Sequence, residues 1–339
     1  MTLSIDDLSH PLELCSFCPK LCRFACPVAE VEHRETATPW GLMTYADDLR
    51  RQGTAPGPEA AQVWSHCTGC DRCQAVCKHD NPVGDTVQIL RAMIEAPHPV
   101  RLWAREIPPR PENWRALPLQ GDTRLMVGRA DGRRVEAALN IWAFAELGPL
   151  GRTSVATAGH RLHAVGLLEE YADHQKALTT GLAGVTKVVC LDAEDVIALR
   201  RDLGAGISVV HLIEVINDVV PTNRVFAGDV LYLDACRCGR GLGLYDAPRE
   251  ALSAMTSGRI IEGLMSHEEG GCCGAGAGYA ALEPAHADEM ARSWADVALD
   301  IPVVIVGHCA DHMRAALAPR PVWSWIEAFA AGLKKEESA

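Results

Sequence analysis

The sequence contains no apolar run approaching the ~18–20 consecutive residues that a membrane-spanning helix needs. Stretches such as Val303–Val306 are strand-length and bounded by Pro302 and Gly307. No direct membrane span is therefore expected, and membrane contact would run through a partner. A basic excess is also missing: 32 Lys and Arg against 44 Asp and Glu give a net charge of −12. That balance argues against nucleic acid or an anionic membrane surface as the main partner and favours a protein or a small molecule. The opening MTLSIDDLSHPLEL has neither a basic start nor a following apolar run, so the expected compartment is cytoplasmic and reducing, with free thiols. A nucleotide-binding fingerprint is absent as well. GAGAG at 274–278 follows two cysteines, and GRGLG at 239–243 belongs to another cysteine motif. A flavin, if the reaction uses one, is expected on a partner.

What is present is a chain of 339 residues, 48% apolar, long enough for two or three domains with buried cores. Its 14 cysteines are unevenly placed. Eight lie before Lys78, none falls between Cys77 and Cys190, and the rest are Cys190, Cys236, Cys238, Cys272, Cys273 and Cys309. Residues 1–95 carry short helical patterns, ending with Val87, Leu90 and Ile94 at three- and four-residue spacing. Residues 96–120 are proline-rich and read as a linker with a short helical stretch.

From residue 121 aliphatic runs alternate with amphipathic helical ones, which predicts α/β layers with a largely parallel sheet. Strands are expected at RLMV, TSVAT (153–157) and TKVVCL, and the pattern restarts at DVLYLDAC, RIIEGLMS and PVVIVGHC. The junction at Cys190 matches that at Cys309, and HLIEVIND matches WSWIEAFAAG, a repeat of roughly 110 to 120 residues. Two related α/β domains are expected, 121–222 and 223–333.

Cys67, Cys70, Cys73 and Cys77 follow C-x2-C-x2-C-x3-C, the spacing that holds a [4Fe–4S] cluster. Three thiolates on one tight loop cap one face of a cube, and the fourth, a helical turn on, points elsewhere and can serve a second cluster. Cys15, Cys18, Cys22 and Cys26 follow C-x2-C-x3-C-x3-C, with Pro27 next and one extra residue in the middle spacing. A lone C-x2-C pair reads equally well as a zinc site, but zinc ribbons separate their pairs by a dozen or more residues. Two crowded four-cysteine runs favour two [4Fe–4S] clusters. His66 and His79 flank the second run and read as exposed loop residues.

Further on, Cys236 follows a strand, Cys272 and Cys273 are adjacent, and Cys309 follows another strand with His312 three residues later. Vicinal cysteines do not easily share one tetrahedral ion, whereas they can serve two irons of a cluster. The following glycines permit positive φ and close backbone approach. A Cys3His zinc site remains the alternative. Cys238 reads as an inert, partly buried thiol.

The N-terminal runs resemble bicluster ferredoxins. That resemblance implies a crossed ligand set, with Cys15, Cys18, Cys22 and Cys77 on one cluster and Cys67, Cys70, Cys73 and Cys26 on the other. The C-terminal motifs resemble the CCG domain of heterodisulfide reductase B and D subunits and of the iron–sulfur subunits of lactate, glycolate and anaerobic glycerol-3-phosphate dehydrogenases. The family carries two tandem copies. Here the second matches at Cys236, Cys272, Cys273, Gly274 and Cys309, with His312 in place of the last cysteine; the first has kept Cys190 alone, with Gly128 near its first position. The resemblance implies an α-helical ferredoxin-like domain followed by two tandem α/β CCG-type domains. A third cluster, or zinc, would be held by Cys236, Cys272, Cys273 and Cys309 with His312. The function so implied is an electron-transfer subunit of a multisubunit oxidoreductase with a flavoprotein or quinone-linked partner and no catalytic residue of its own. Reduction of a disulfide at the C-terminal cluster and a zinc-stabilised interaction module are the alternatives.

Overall fold

Prolines at the start of the N-terminal helices lack an N–H that the first turn leaves unused, and their fixed φ suits that position. In the computed structural model they open Pro27–Glu32, Pro39–Arg51, Pro58–Trp64 and, at its second residue, His98–Arg105. The structure describes residues 4–106, 122–145, 157–204, 206–216, 218–297 and 300–333. The chain divides into two compact units: Met1–Glu106 with Arg161–Ala172 and Met265–Trp294, and Ile107–His160 with Asp173–Leu264 and Ala295–Ala339. Among the described residues no helix is long and apolar enough to cross a membrane.

The first unit is helical. Leu12, Leu42, Met43, Trp64, Val87 and Leu90 form its main core, drawn from the helices Ser9–Ser16, Pro39–Arg51, Pro58–Trp64 and Val83–Arg91. The helix expected to end the cysteine-rich region is thus present, and Val87 and Leu90 face inward from it. The proline-rich stretch contains the helix His98–Arg105; the rest of it, from residue 107, lies outside the described residues.

Two parallel sheets build the second unit. Strands β1 (Thr123–Met126), β2 (Lys187–Cys190) and β3 (Ser208–His211) form one in that order. Strands β4 (Val230–Leu233), β5 (Ile260–Glu262), β6 (Val303–Ile305) and β7 (Val322–Ser324) form the other in the order β5-β4-β6-β7. Helices cover parallel sheets on both faces, which is why β4 and β6 are apolar and buried throughout. The strand expected at TSVAT falls on residues of which all but the last are outside the described set.

The starts of the segments HLIEVIND and WSWIEAFAAG share a local geometry. Both β3 and β7 run directly into a helix whose third residue reaches back: Glu214 accepts from the His211 N–H at 2.7 Å, and Glu327 from the Ser324 N–H at 2.9 Å. Arg134, 1% exposed, donates to Asp192 at 2.9 Å and to Asp311 at 3.0 Å. These aspartates stand at the starts of the helices Ala193–Asp202 and Cys309–Ala316, which follow β2 and β6.

Candidate iron–sulfur centres

The first cysteine run lies on three short elements. Cys15 ends the helix Ser9–Ser16, Lys20 turns the chain with φ 66°, Cys22 sits in the 3-10 turn Leu21–Ala25, and Cys26 caps the helix Pro27–Glu32. In the second run Gly69 and Asp71 take φ of 65° and 59°, so Cys67, Cys70 and Cys73 lie on a tight loop, and Cys77 follows the short helix Arg72–Ala75.

A cavity of about 250 Å³ is lined by Cys15, Cys18, Cys22, Cys73 and Cys77 together with Trp40 and Asn81. A single water occupies about 30 Å³, so the space exceeds what one ion needs. Burial pushes the Cys15 thiol up to about 12, aided by Cys22, Cys77 and Cys18 and opposed by a hydrogen bond from Asn81. Its Nδ2 donates to the Cys15 Sγ at 3.1 Å. Cys22 is pushed up to about 11, by burial and then by Cys18 and Cys77.

Cys26, Cys67 and Cys70 lie in the electrostatic neighbourhood of Cys73. Burial raises Cys73 well above the usual thiol range, and Cys70, Cys67 and Cys26 add to it. Cys26 is raised by burial, then by Cys70, with the N–H groups of Ala29 and Val28 pulling the other way. Both runs therefore contribute to each of these neighbourhoods. Thiols that hold their protons tightly in water-poor surroundings, each raised by its neighbours, fit a site in which metal takes the place of those protons. Among the described residues no three His, Cys, Asp or Glu side chains converge on a single ion.

Cys272 and Cys273, each 2% exposed, belong to the first unit. Cys272 packs with Val28, Val31 and Tyr279, and Cys26 and Cys70 lie against the same cluster. Its Sγ is 3.5 Å from the Thr68 hydroxyl and accepts from the Gly274 N–H at 3.5 Å. The expected role of the glycines holds at two positions. Gly274 has φ +87°, and a Cβ on Gly276 would lie 2.3 Å from the Thr68 carbonyl oxygen. Sequence reasoning missed Thr68, which only its neighbourhood to Cys67 could have suggested.

Cys236 and Cys309 belong to the second unit, where each opens a helix after one of the paired strands β4 and β6. His312 lies on the helix that Cys309 opens. Cys238 is fully buried, and burial pushes its thiol up, as suits an inert group.

Two sequence expectations need correction. His66 is 3% exposed, not an exposed loop residue, and its Nδ1 lies 2.6 Å from the Glu32 carboxylate. Cys190 does not occupy the place of Cys309. It is the last residue of β2 with its side chain in the core, whereas Cys309 comes four residues after the end of β6. Glu194 holds the corresponding position after β2. Burial works against its charge, but His308, with Nδ1 3.4 Å away, holds its carboxyl well below the usual range. The neighbouring Asp195 accepts from the Ala158 N–H at 2.7 Å and contacts His160 Nδ1 at 3.0 Å. Carboxylates and histidines gather beyond the end of β2.

The chain carries a 4Fe–4S dicluster domain, matched over residues 11–81, and a cysteine-rich domain, matched over residues 230–314. It is 22% identical to a subunit of the fumarate reductase (CoM/CoB) of Methanothermobacter marburgensis over 87% of this chain and 66% of that relative. It is 33% identical to EtfAB:quinone oxidoreductase of Syntrophomonas wolfei, over 30% of this chain and 15% of the relative. Identity to a subunit of the dihydromethanophenazine:CoB–CoM heterodisulfide reductase of Methanosarcina acetivorans is 30%, over 41% of this chain and 37% of the relative. Each match thus spans less than two thirds of the relative's own length. No solved structure matches the chain significantly. The resemblance read from the cysteine motifs, to heterodisulfide reductase subunits with ferredoxin-like and CCG domains, is borne out.

Proposed function

We propose that this iron–sulfur oxidoreductase subunit relays single electrons between a partner, a flavoprotein or quinone-linked dehydrogenase, and its own cysteine-rich domain. The observation that supports the reading is that Cys77 neighbours Cys15 and Cys22 while Cys26 neighbours Cys67, Cys70 and Cys73, so that each proposed set draws on both runs. Cys15, Cys18, Cys22 and Cys77 would hold one [4Fe–4S] cluster and Cys26, Cys67, Cys70 and Cys73 the other; such clusters supply one-electron carriage. The protein's part is to keep water from the thiols, to fix the sulfurs on short helices and tight turns, and to donate to them from Asn81 Nδ2 and the Gly69 N–H.

A third set, Cys236, Cys272, Cys273 and Cys309 with His312, is proposed on the cysteine-rich domain match, which contains all five positions. The place of Cys272 in a core cluster against which Cys26 and Cys70 also lie supports electron passage from the second cluster toward the vicinal pair. A cytoplasmic location, with any membrane contact made by a partner, completes the proposal. The heterodisulfide reductase relative favours a second reading, reduction of a disulfide at the C-terminal set. Turnover of a disulfide by the purified chain with an artificial electron donor would select it.

Iron and acid-labile sulfide content, with EPR before and after dithionite on protein purified without oxygen, tests the proposal. About twelve irons are expected for three four-iron clusters. About eight irons with one zinc would confine redox work to the first unit, and zinc alone would overturn the electron-transfer reading.

A further inference from the structure

Arg91 closes the helix Val83–Arg91 and is 4% exposed. Its guanidinium donates only to backbone carbonyls: Nε and Nη2 to Trp64 O at 3.0 and 2.6 Å, Nη2 to Cys67 O at 2.5 Å, and Nη1 to Ala164 O at 3.0 Å. Two other largely buried arginines are paired with carboxylates, Arg134 with Asp192 and Asp311, and Arg249 with Asp234 and Glu262. Among the described residues Arg91 has no such ion pair, and the ionisable group within its electrostatic reach is Cys67. A guanidinium does not shed its proton in a protein, and a buried charge without an opposite one is strongly disfavoured.

We infer that Arg91 is the buried counter-charge of the centre formed by Cys26, Cys67, Cys70 and Cys73, and that it raises that centre's reduction potential. The inference rests on the cluster reading above. Four thiolates around a [4Fe–4S] core leave net negative charge, and reduction adds one electron to it. A fixed cation therefore stabilises the reduced form more than the oxidised one. The carbonyl contacts also anchor Cys67 to the end of the helix, which makes Arg91 a positioning residue as well. The group Cys15, Cys18, Cys22 and Cys77 supplies a comparison, because the cations lining its cavity, Lys78 and Lys20, are exposed and part-exposed, and solvent screens them more than a buried guanidinium.

The experiment is an EPR-monitored redox titration of the full chain and of Arg91→Gln and Arg91→Lys, with iron and sulfide measured on each. In Arg91→Gln one of the two N-terminal centres is expected to move negative by at least tenfold in its one-electron equilibrium, 59 mV. The other should stay within threefold, and Arg91→Lys should keep both near the parent values. Unchanged potentials in a fully loaded Arg91→Gln protein overturn the inference while leaving the cluster reading intact. A parent protein without iron and sulfide overturns both. If Arg91→Gln is insoluble, Arg91→Met replaces it. Should both neutral variants fail to load while Arg91→Lys loads fully, the need for charge is upheld; failure of Arg91→Lys alongside them overturns it in favour of hydrogen-bond geometry alone.

Discussion

The Tyr279 hydroxyl donates to the Glu32 carboxylate at 2.7 Å, joining residues 247 positions apart. Glu32 ends the helix that Cys26 caps, and Tyr279 follows the glycine run after Cys272 and Cys273. A buried hydrogen bond to an ionised group contributes about 1.5–3 kcal/mol. Tyr279→Phe is expected to lower the melting temperature by several degrees with iron content retained, as read by calorimetry and iron analysis. A melting temperature equal to the parent's would remove this contact from the account of the first unit's stability.

Acid should loosen the same contact. Burial pushes Glu32 up, but hydrogen bonds from His66, Tyr279 and Arg34 outweigh it and bring the carboxyl from the ordinary 4.5 to about 2. The folded value is depressed, so the stabilisation is complete above pH 4.5 and is lost as pH falls from 4.5 toward 2. Its size is on the order of 2–3 kcal/mol. Denaturant unfolding of parent and Glu32→Gln across this range should show a gap that closes with acid, and a constant gap would contradict the assignment.

Paired Cys→Ser variants test the crossed ligand sets. Cys15→Ser with Cys77→Ser should lose about four irons, because the proposal places both sulfurs on one cluster, whereas Cys15→Ser with Cys73→Ser should lose about eight. Equal losses from the two double variants would refute the crossing.

On the proposed ligand sets, the Asn81 Nδ2 bond to Cys15 Sγ is expected to tune the first centre. Donors to cluster sulfurs stabilise the reduced form, so Asn81→Leu is expected to shift that centre's potential negative and leave the second unmoved. A redox titration that finds both centres unchanged would show the bond to be structural only.

In the second unit the Arg134 bridge should be costly to break. Both it and Asp192 are 1% exposed, and removing one partner of such a buried pair costs about 3–5 kcal/mol. Arg134→Met is expected to reduce the unfolding free energy by that order, and a change under about 1 kcal/mol would place the bridge among surface pairs.

The cysteine spacings and the strand–helix alternation were legible because each is a local pattern with a chemical or steric cause. Pro27, Pro39 and Pro58 mark helix starts, and β2, β4 and β6 follow the aliphatic runs. Spacing could not reveal that His66 is buried against Glu32, since nothing in SHCTGC encodes a partner 34 residues away. Nor could it show that Cys190 points into the core, because counting along a strand without its end leaves the register open.

The sequence by itself determined the kinds of chemistry present: eight thiols in two runs and a vicinal pair before a glycine run. Tertiary structure alone decided which groups meet. It brought Cys26 near Cys67, Cys70 and Cys73, set Cys272 in a cluster against which Cys26 and Cys70 lie, and buried Arg91 against the Cys67 carbonyl with no carboxylate partner among the described residues. The division has a physical reason. Residue type and local spacing set what a side chain can bond, whereas burial and long-range packing set what it does bond and how strongly charge is felt there.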